Sequence, residues 1–338
     1  MGKDRSLVLG VGNGMAAGAL WGMVFLVPAL LAGFGALQLA AGRYLVYGLV
    51  AVLLLWPRWA GLRARVGPAQ WRDLFGLSLL GNLVYFIFLA LAVQWAGGAA
   101  AALIVGMVPV LVAVWAARAP DSVPLRPLLP SLALCVAGTV LVAWAALDGG
   151  GHGGAAATPL PLWQRVAGLL AAVAALLSWT LYSVRNVQAM RRNHTLSGHD
   201  WSLLTGVATG ALALGLVPLA LWLGPHGQPL GQWVQFAWAS LALAVGASVL
   251  GNACWNRATS LLPLGLGGQM IVFETLFALL YGFVWQQRWP SMLEWLAIAA
   301  LAAGVVLCAR VHARWQAPAS PLQGELLRSS KGGVGPVR

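Results

Sequence analysis

Lysine, carboxylates and cysteine are all scarce in this chain of 338 residues, which has two Lys, eight Asp plus Glu and three Cys. Charged residues amount to 8% against 60% hydrophobic, where a soluble domain carries about 25% charged. So little polar surface cannot cover a water-soluble globule of this size. Cys135, Cys254 and Cys308 fall inside apolar runs with no CxxC and no His at ligand spacing. That excludes a disulfide framework or a zinc site and leaves them as buried apolar residues. No GxxxxGK[ST] occurs, and no polar segment is long enough to house a nucleotide-hydrolysing module. The five His lie in loops or at the ends of apolar runs, so they assemble no nucleophile with its base and no ligand set within them. No catalytic residue, metal or cofactor is expected.

What the chain does have is long apolar runs. A bilayer core of roughly 30 Å takes about 20 apolar residues as a helix, because backbone polar groups cannot be left unpaired in lipid. Ten such runs occur, at 7–31, 37–56, 71–95, 97–116, 127–147, 163–184, 201–224, 233–256, 263–285 and 291–311. The first is longer than the apolar region of a cleavable signal peptide. The expected fold is therefore all-α, a polytopic membrane protein with ten transmembrane helices. Most of the 18 Trp sit near the ends of these runs, where an aromatic belt belongs.

The net charge is +12. On a polar domain such an excess would point to nucleic acid, but here the basic residues stand singly between apolar runs. With the N-terminus placed in the cytoplasm, 17 of the 20 basic residues fall on the cytoplasmic side. Arg165 and Arg288 fall on the other, and Arg43 lies within the second run. This asymmetry obeys the positive-inside rule and predicts a bacterial cytoplasmic-membrane protein with both termini cytoplasmic. The bilayer is the expected environment, nucleic acid is not an expected partner, and the chain is read as a monomer or weak dimer.

Residues 81–115 align without a gap on 251–285, with Gly81-Asn82 over Gly251-Asn252, Gly97-Gly98 over Gly267-Gly268 and Val114-Trp115 over Val284-Trp285. Gly138 likewise falls on Gly304, and Trp21 pairs with Trp179. Each copy crosses five times, an odd number, so the second must lie upside down. Inverted repeats belong to secondary transporters, in which a midplane site is exposed alternately to each side. The organisation expected is a first five-helix repeat over 7–147, an external Gly-rich linker over 148–162, a second repeat over 163–312 and a disordered tail over 313–338.

Leu20-Trp21-Gly22 in the first run, Gly-Arg-Tyr-Leu at 42–45, WNRATSLLPLG at 255–265 and AAGVVL at 302–307, in that order within a five-plus-five arrangement, resemble the EamA family of the drug/metabolite transporter superfamily. The resemblance covers roughly residues 7 to 312 and implies a carrier near the amino-acid exporters. One departure stands out: where the family closes its fourth and ninth helices with a Gly-Glu pair, this chain has Ala117-Arg118 and Gln286-Gln287.

Few residues remain to carry solute. Glu274 is the one acid in the interior of a run, about midway along 263–285. Such a carboxylate must face the bundle interior, where it would meet a substrate amine, couple protons or make a structural hydrogen bond. Arg43 lies roughly 9 Å inside the external end at 1.5 Å per residue. It has two readings: a contact for an anionic group such as a carboxylate, or a guanidinium snorkelling to the interface. Asn82 with Tyr85, and Asn252 with Trp255 and Asn256, form amide-and-ring stripes that should face inward. Trp21, Trp179, Tyr182 and Phe273 lie deep enough to stack on a ligand or to pack against neighbours, and Gln269, Phe273 and Phe277 recur at i+4. Gly97-Gly98, Gly106, Gly265 and Gly267-Gly268, with Pro28, Pro109 and Pro218, serve either close helix approach or hinging.

Together these features predict a secondary active transporter, working by alternating access, that exports a small metabolite such as an amino acid or a similar amphipathic solute. Protons are one option for the coupling ion. Nucleoside, sugar or drug transport is the alternative among carriers. An intramembrane enzyme or a channel is the alternative outside them.

Overall fold

The structure is a computed structural model that describes residues 2–117, 124–148, 160–193, 196–262 and 270–316. Most of the linker, the tail beyond Gln316, Arg118, Gly265, Gly267-Gly268 and Gln269 lie outside the described residues. Among the described residues every regular element is a helix. Eight helices are long and apolar enough to cross a bilayer: α1 (Ser6–Leu30), α2 (Ala36–Arg63), α3 (Pro68–Ala96), α4 (Gly98–Trp115), α5 (Leu125–Leu147), α6 (Leu162–Met190), α7 (Gly198–Leu223) and α8 (Leu230–Leu261). Two apolar helices that follow are shorter, α9 (Val272–Gln286) and the apolar part, Met292–Cys308, of α10 (Met292–Gln316).

Two boundaries differ from the expectation. The last helix continues to Gln316, so the tail begins later than 313. The regular part of the ninth helix begins only at Val272, which puts Glu274 in its first turn instead of midway along a span. Glu274 is nonetheless deep in the bundle. A Cβ built on Gly18, halfway along α1, would lie 2.9 Å from the Glu274 backbone nitrogen.

Local chemistry sets the helix ends. Gly97 adopts φ 94°, a left-handed conformation that favours glycine, and this lets α3 turn directly into α4. Gln70 accepts from the Gly67 N–H (3.0 Å) and Ser197 accepts from the Asp200 N–H (3.1 Å), capping α3 and α7. Four helices depart from regular α geometry. Pro57 tightens the end of α2 at Trp56–Arg58, and α4 is interrupted between Val105 and Val108. The turns of α3 over Leu79–Val84 and of α8 over Leu243–Gly251 are widened to i→i+5 hydrogen bonding, an arrangement that frees carbonyls for other partners and often marks functional positions.

The helices pair extensively as α2 on α7, α5 on α10, α3 on α6, and α1 on both α8 and α9. Glycines set these contacts. A Cβ on Gly48 of α2 would lie 2.5 Å from the Gly210 Cα of α7. On α1, Gly10, Gly14, Gly18 and Gly22 form a bare stripe against Leu262, Met270, Phe273 and Phe277 in turn. Without a hydrophobic driving force between helices in lipid, such backbone proximity maximises van der Waals contact. Large apolar side chains such as Leu53, Val140, Leu170, Leu214 and Leu280 face outward, a belt that suits hydrocarbon and would be an aggregation surface in water.

Candidate functional site

A cavity of about 330 Å³ opens among α1, α2, α3, α6, α7, α8 and the start of α9. The apolar runs force amides and rings inward, and the structure brings most of them to this one space. Asn82 and Tyr85 of α3, Asn252, Trp255 and Asn256 of α8, Trp21 of α1, Trp179 and Tyr182 of α6, Arg43 of α2 and Glu274 of α9 all line it. One expected residue, Phe273, is not among them. Gln269 lies outside the described residues. Phe273 packs instead with Met270 and Leu262 against the glycine stripe of α1, because the face it shares with Phe277 is the α1–α9 contact surface.

The rings are arranged as a trio and a pair. Tyr85 meets Trp179 with centroids 4.6 Å apart, and Tyr182 adds to Trp179 at 4.9 Å. Trp21 meets Trp255 at 5.3 Å. Two glycines make room for them: a Cβ on Gly81 would strike the Tyr182 ring at 2.2 Å, and one on Gly251 would lie 2.6 Å from Trp21 Nε1.

Much of the polar lining is already satisfied. The widened turn of α3 leaves carbonyls that accept from neighbours: Ser178 Oγ donates to Leu80 O (2.7 Å) and Tyr44 OH to Asn82 O (3.0 Å). The widened turn of α8 does the same where Trp21 Nε1 donates to Ala247 O (2.9 Å). Asn82 Nδ2 donates to Thr209 Oγ1 (2.8 Å) and Asn252 Nδ2 to Ser248 O (2.8 Å). These two amides thus have structural partners as well as a place on the cavity wall.

Other groups are left over. Arg43 is 8% exposed, and its Nε and Nη1 are buried without a hydrogen-bond partner among the described residues. Its guanidinium carbon lies 4.5 Å from the Phe86 ring centroid and 5.0 Å from that of Tyr44. The snorkelling reading is therefore corrected: the neighbouring rings hold the cation inside by cation–π attraction. Glu274 forms no hydrogen bond or ion pair with the described residues. The three ion pairs found there are Arg58–Asp200, Arg192–Asp73 and Arg288–Glu294. The cavity thus carries a guanidinium and a carboxyl that form no ion pair among the described residues.

The cavity is open toward one end of the bundle, where Met190, Gly198 and Asn256 are exposed. This is the end of the α2–α3, α6–α7 and α8–α9 connections. The opposite end is shut. Phe34, 1% exposed, packs against Phe236 at 4.7 Å and Trp233 at 4.9 Å. Gln94 Nε2 holds Phe34 O (2.9 Å), and Gln38 Nε2 ties α2 to Pro225 O (3.0 Å).

A model of the EamA-like transporter family matches residues 166–310. Inner membrane protein YtfF of Escherichia coli (strain K12) is 31% identical over 315 residues, covering 90% of this chain and 96% of the relative. The chain belongs to the EamA-like transporter family. Its fold is also that of a solved crystal structure, 22% identical, with a TM-score of 0.59 and coverage of 93% of this chain and 99% of the other. Membership supports a transport role.

Several lining residues of this EamA-family chain were not singled out in the sequence. Ser202 and Thr205 line the cavity from positions with no distinctive signal in a single apolar run, and Tyr44, marked in the sequence only as part of the Gly-Arg-Tyr-Leu stretch at 42–45, lines it too. Trp201, placed at a span end, lines it too, and it donates through Nε1 to Asn186 (2.9 Å). Glu294 was passed over because it lies near a run's end. It is 2% exposed and takes a bidentate pair from Arg288 (2.6 and 2.7 Å) with a third bond from the Ser291 N–H, a structural latch.

Proposed function

We propose that this protein is a secondary active transporter that exports a small amphipathic solute, best matched by an amino acid, from the cytoplasm by alternating access. The observation that carries this reading is that Arg43, whose Nε and Nη1 are buried without a hydrogen-bond partner among the described residues, and the oppositely charged Glu274 line one aromatic-walled cavity. A buried guanidinium without partners is costly, and a solute carboxylate would relieve that cost. Glu274 then offers a counter-group for an amine or an exchange site for a proton.

Ten spans as two inverted five-helix repeats belong to the same proposal. The aligned positions support it in detail. Tyr85–Trp179 and Trp255–Trp21 are ring pairs formed by aligned residues. A Cβ on Gly138 would approach Leu301 Cγ at 2.6 Å, while one on its aligned partner Gly304 would approach Cys135 Sγ at 2.6 Å. Both are reciprocal contacts of the kind a twofold axis in the membrane plane generates. With both termini cytoplasmic, the open end of the cavity faces the cytoplasm and the Phe34 cluster seals the outside, an arrangement suited to loading an exported solute.

A counterflow screen in proteoliposomes with amino acids, nucleosides and sugars tests the proposal. Saturable counterflow of amino acids is the expected result. Counterflow confined to sugars or nucleosides would overturn the substrate, and single-channel currents would overturn the carrier mechanism.

A further inference from the structure

Beside the central cavity lies a smaller chamber of about 50 Å³ at the interruption of α4. Phe25, Leu103, Leu279, Leu301 and Val305 are among its walls. One water needs about 10–15 Å³ on this scale, so the chamber takes about three to five waters or an alkyl group of similar bulk. Walls this apolar favour the alkyl group. Tyr85, Trp179 and Glu274 line both spaces, which makes them a shared partition.

The chamber owes its place to glycine and proline. A Cβ on Gly106 would come within 2.8 Å of Thr275 Oγ1 and 3.0 Å of Ala102 O. Gly106 thus allows α4 to rest against α9 where its helical ladder breaks. Pro109, which has no N–H to donate, begins the next segment beside the space.

We propose that this chamber receives the apolar part of the transported solute while its charged groups remain in the central cavity, so that Leu279 and Ala302 set the side-chain size accepted. The inference rests on the transport reading above. Arg43 lines only the larger cavity, and Glu274, the one charged residue among those lining the chamber, lines both and stands at its border. A solute whose polar atoms lie beside Glu274 has the chamber as the adjoining dry space for its side chain. Each methylene buried there is worth about fourfold in affinity.

Counterflow of alanine, leucine and phenylalanine is to be compared in wild type, Ala302→Phe, which fills the chamber from α10, and Leu279→Ala, which enlarges it from α9. The leucine-to-alanine ratio is expected to fall about tenfold or more in Ala302→Phe, and the phenylalanine-to-leucine ratio to rise in Leu279→Ala, in line with discrimination by one or a few methylenes. Ratios unchanged in both variants overturn the proposal. If one variant does not fold, the other decides. If wild type moves no amino acid, the substrate reading fails. The chamber is then judged by thermal unfolding with straight-chain carboxylates from acetate to hexanoate. Stabilisation that grows with chain length in wild type and is blunted in Ala302→Phe upholds it, and stabilisation independent of chain length overturns it.

Discussion

Tyr85 and Trp179 stand with ring centroids 4.6 Å apart and planes inclined at 41°, on the wall shared by the central cavity and the apolar chamber. Trp179 is only half buried, so its ring faces open space as well as its neighbours. Trp179→Ala is expected to reduce transport about tenfold or more while lowering the melting temperature by only a few degrees, since the full loss of about 3–5 kcal/mol applies to a completely buried ring. Counterflow and thermal unfolding on the same preparation separate the two effects. A large loss of stability with transport per folded molecule intact would make the pair purely structural.

Arg43 should behave in the opposite sense. Its Nε and Nη1 are buried without a hydrogen-bond partner among the described residues, so Arg43→Leu removes a buried cation that only ring faces and no hydrogen-bonded carboxylate compensate. The purified variant is expected to melt at the same or a higher temperature than wild type, yet to lose transport of carboxylate solutes. Wild-type transport in Arg43→Leu would remove the guanidinium from solute recognition.

Glu274 is the one acid among the residues lining the cavity, and Arg43 is the other charged group there. Glu274→Gln keeps the shape and removes the titratable group. Transport measured from about pH 5 to pH 8 should lose its pH dependence or fall at every pH. A profile superimposable on that of wild type would exclude Glu274 from proton coupling.

The Arg288–Glu294 latch is a stability element. Glu294→Ala leaves Arg288, whose side chain is 19% exposed, without its bidentate partner. It should destabilise the protein by about 3 kcal/mol, the lower end for a broken buried pair because Arg288 keeps some water. Thermal unfolding reads this directly, and a change below about 1 kcal/mol would class the pair with ordinary surface bridges.

Orientation is open to a direct measurement. In a background without the three native cysteines, a cysteine at position 152 should react with an impermeant reagent from outside the cell. One at position 192 should react only after permeabilisation. The reverse pattern would invert the topology and place the open end of the cavity outside.

Much of this arrangement is legible in the apolar runs themselves. Asn82 and Asn252 lie where an amide cannot face lipid, so both had to turn inward, and both do. Arg43 and Glu274 stood out because neither is explained by the distribution of loop charges. Other signals were present but ambiguous. The i+4 recurrence of Phe273 and Phe277 marks a packing surface, and the Gly10, Gly14, Gly18 and Gly22 stripe that receives the ninth helix was equally visible in the sequence. A face that buries itself against another helix and a face that lines a cavity show the same period of 3.6 residues.

The sequence alone determined that the chain is a helical membrane protein of the EamA-like family, because backbone satisfaction in lipid leaves few alternatives and the order of motifs survives in one dimension. Only the tertiary structure decided which inward-facing groups stay unpaired. Asn82 finds Thr209 and Trp21 finds the Ala247 carbonyl, whereas Arg43 Nε and Nη1 find no hydrogen-bond partner among the described residues and the guanidinium lies against rings. Whether a buried polar group is spent on the fold or left for a solute depends on partners far away in the chain, which residue type and periodicity do not encode.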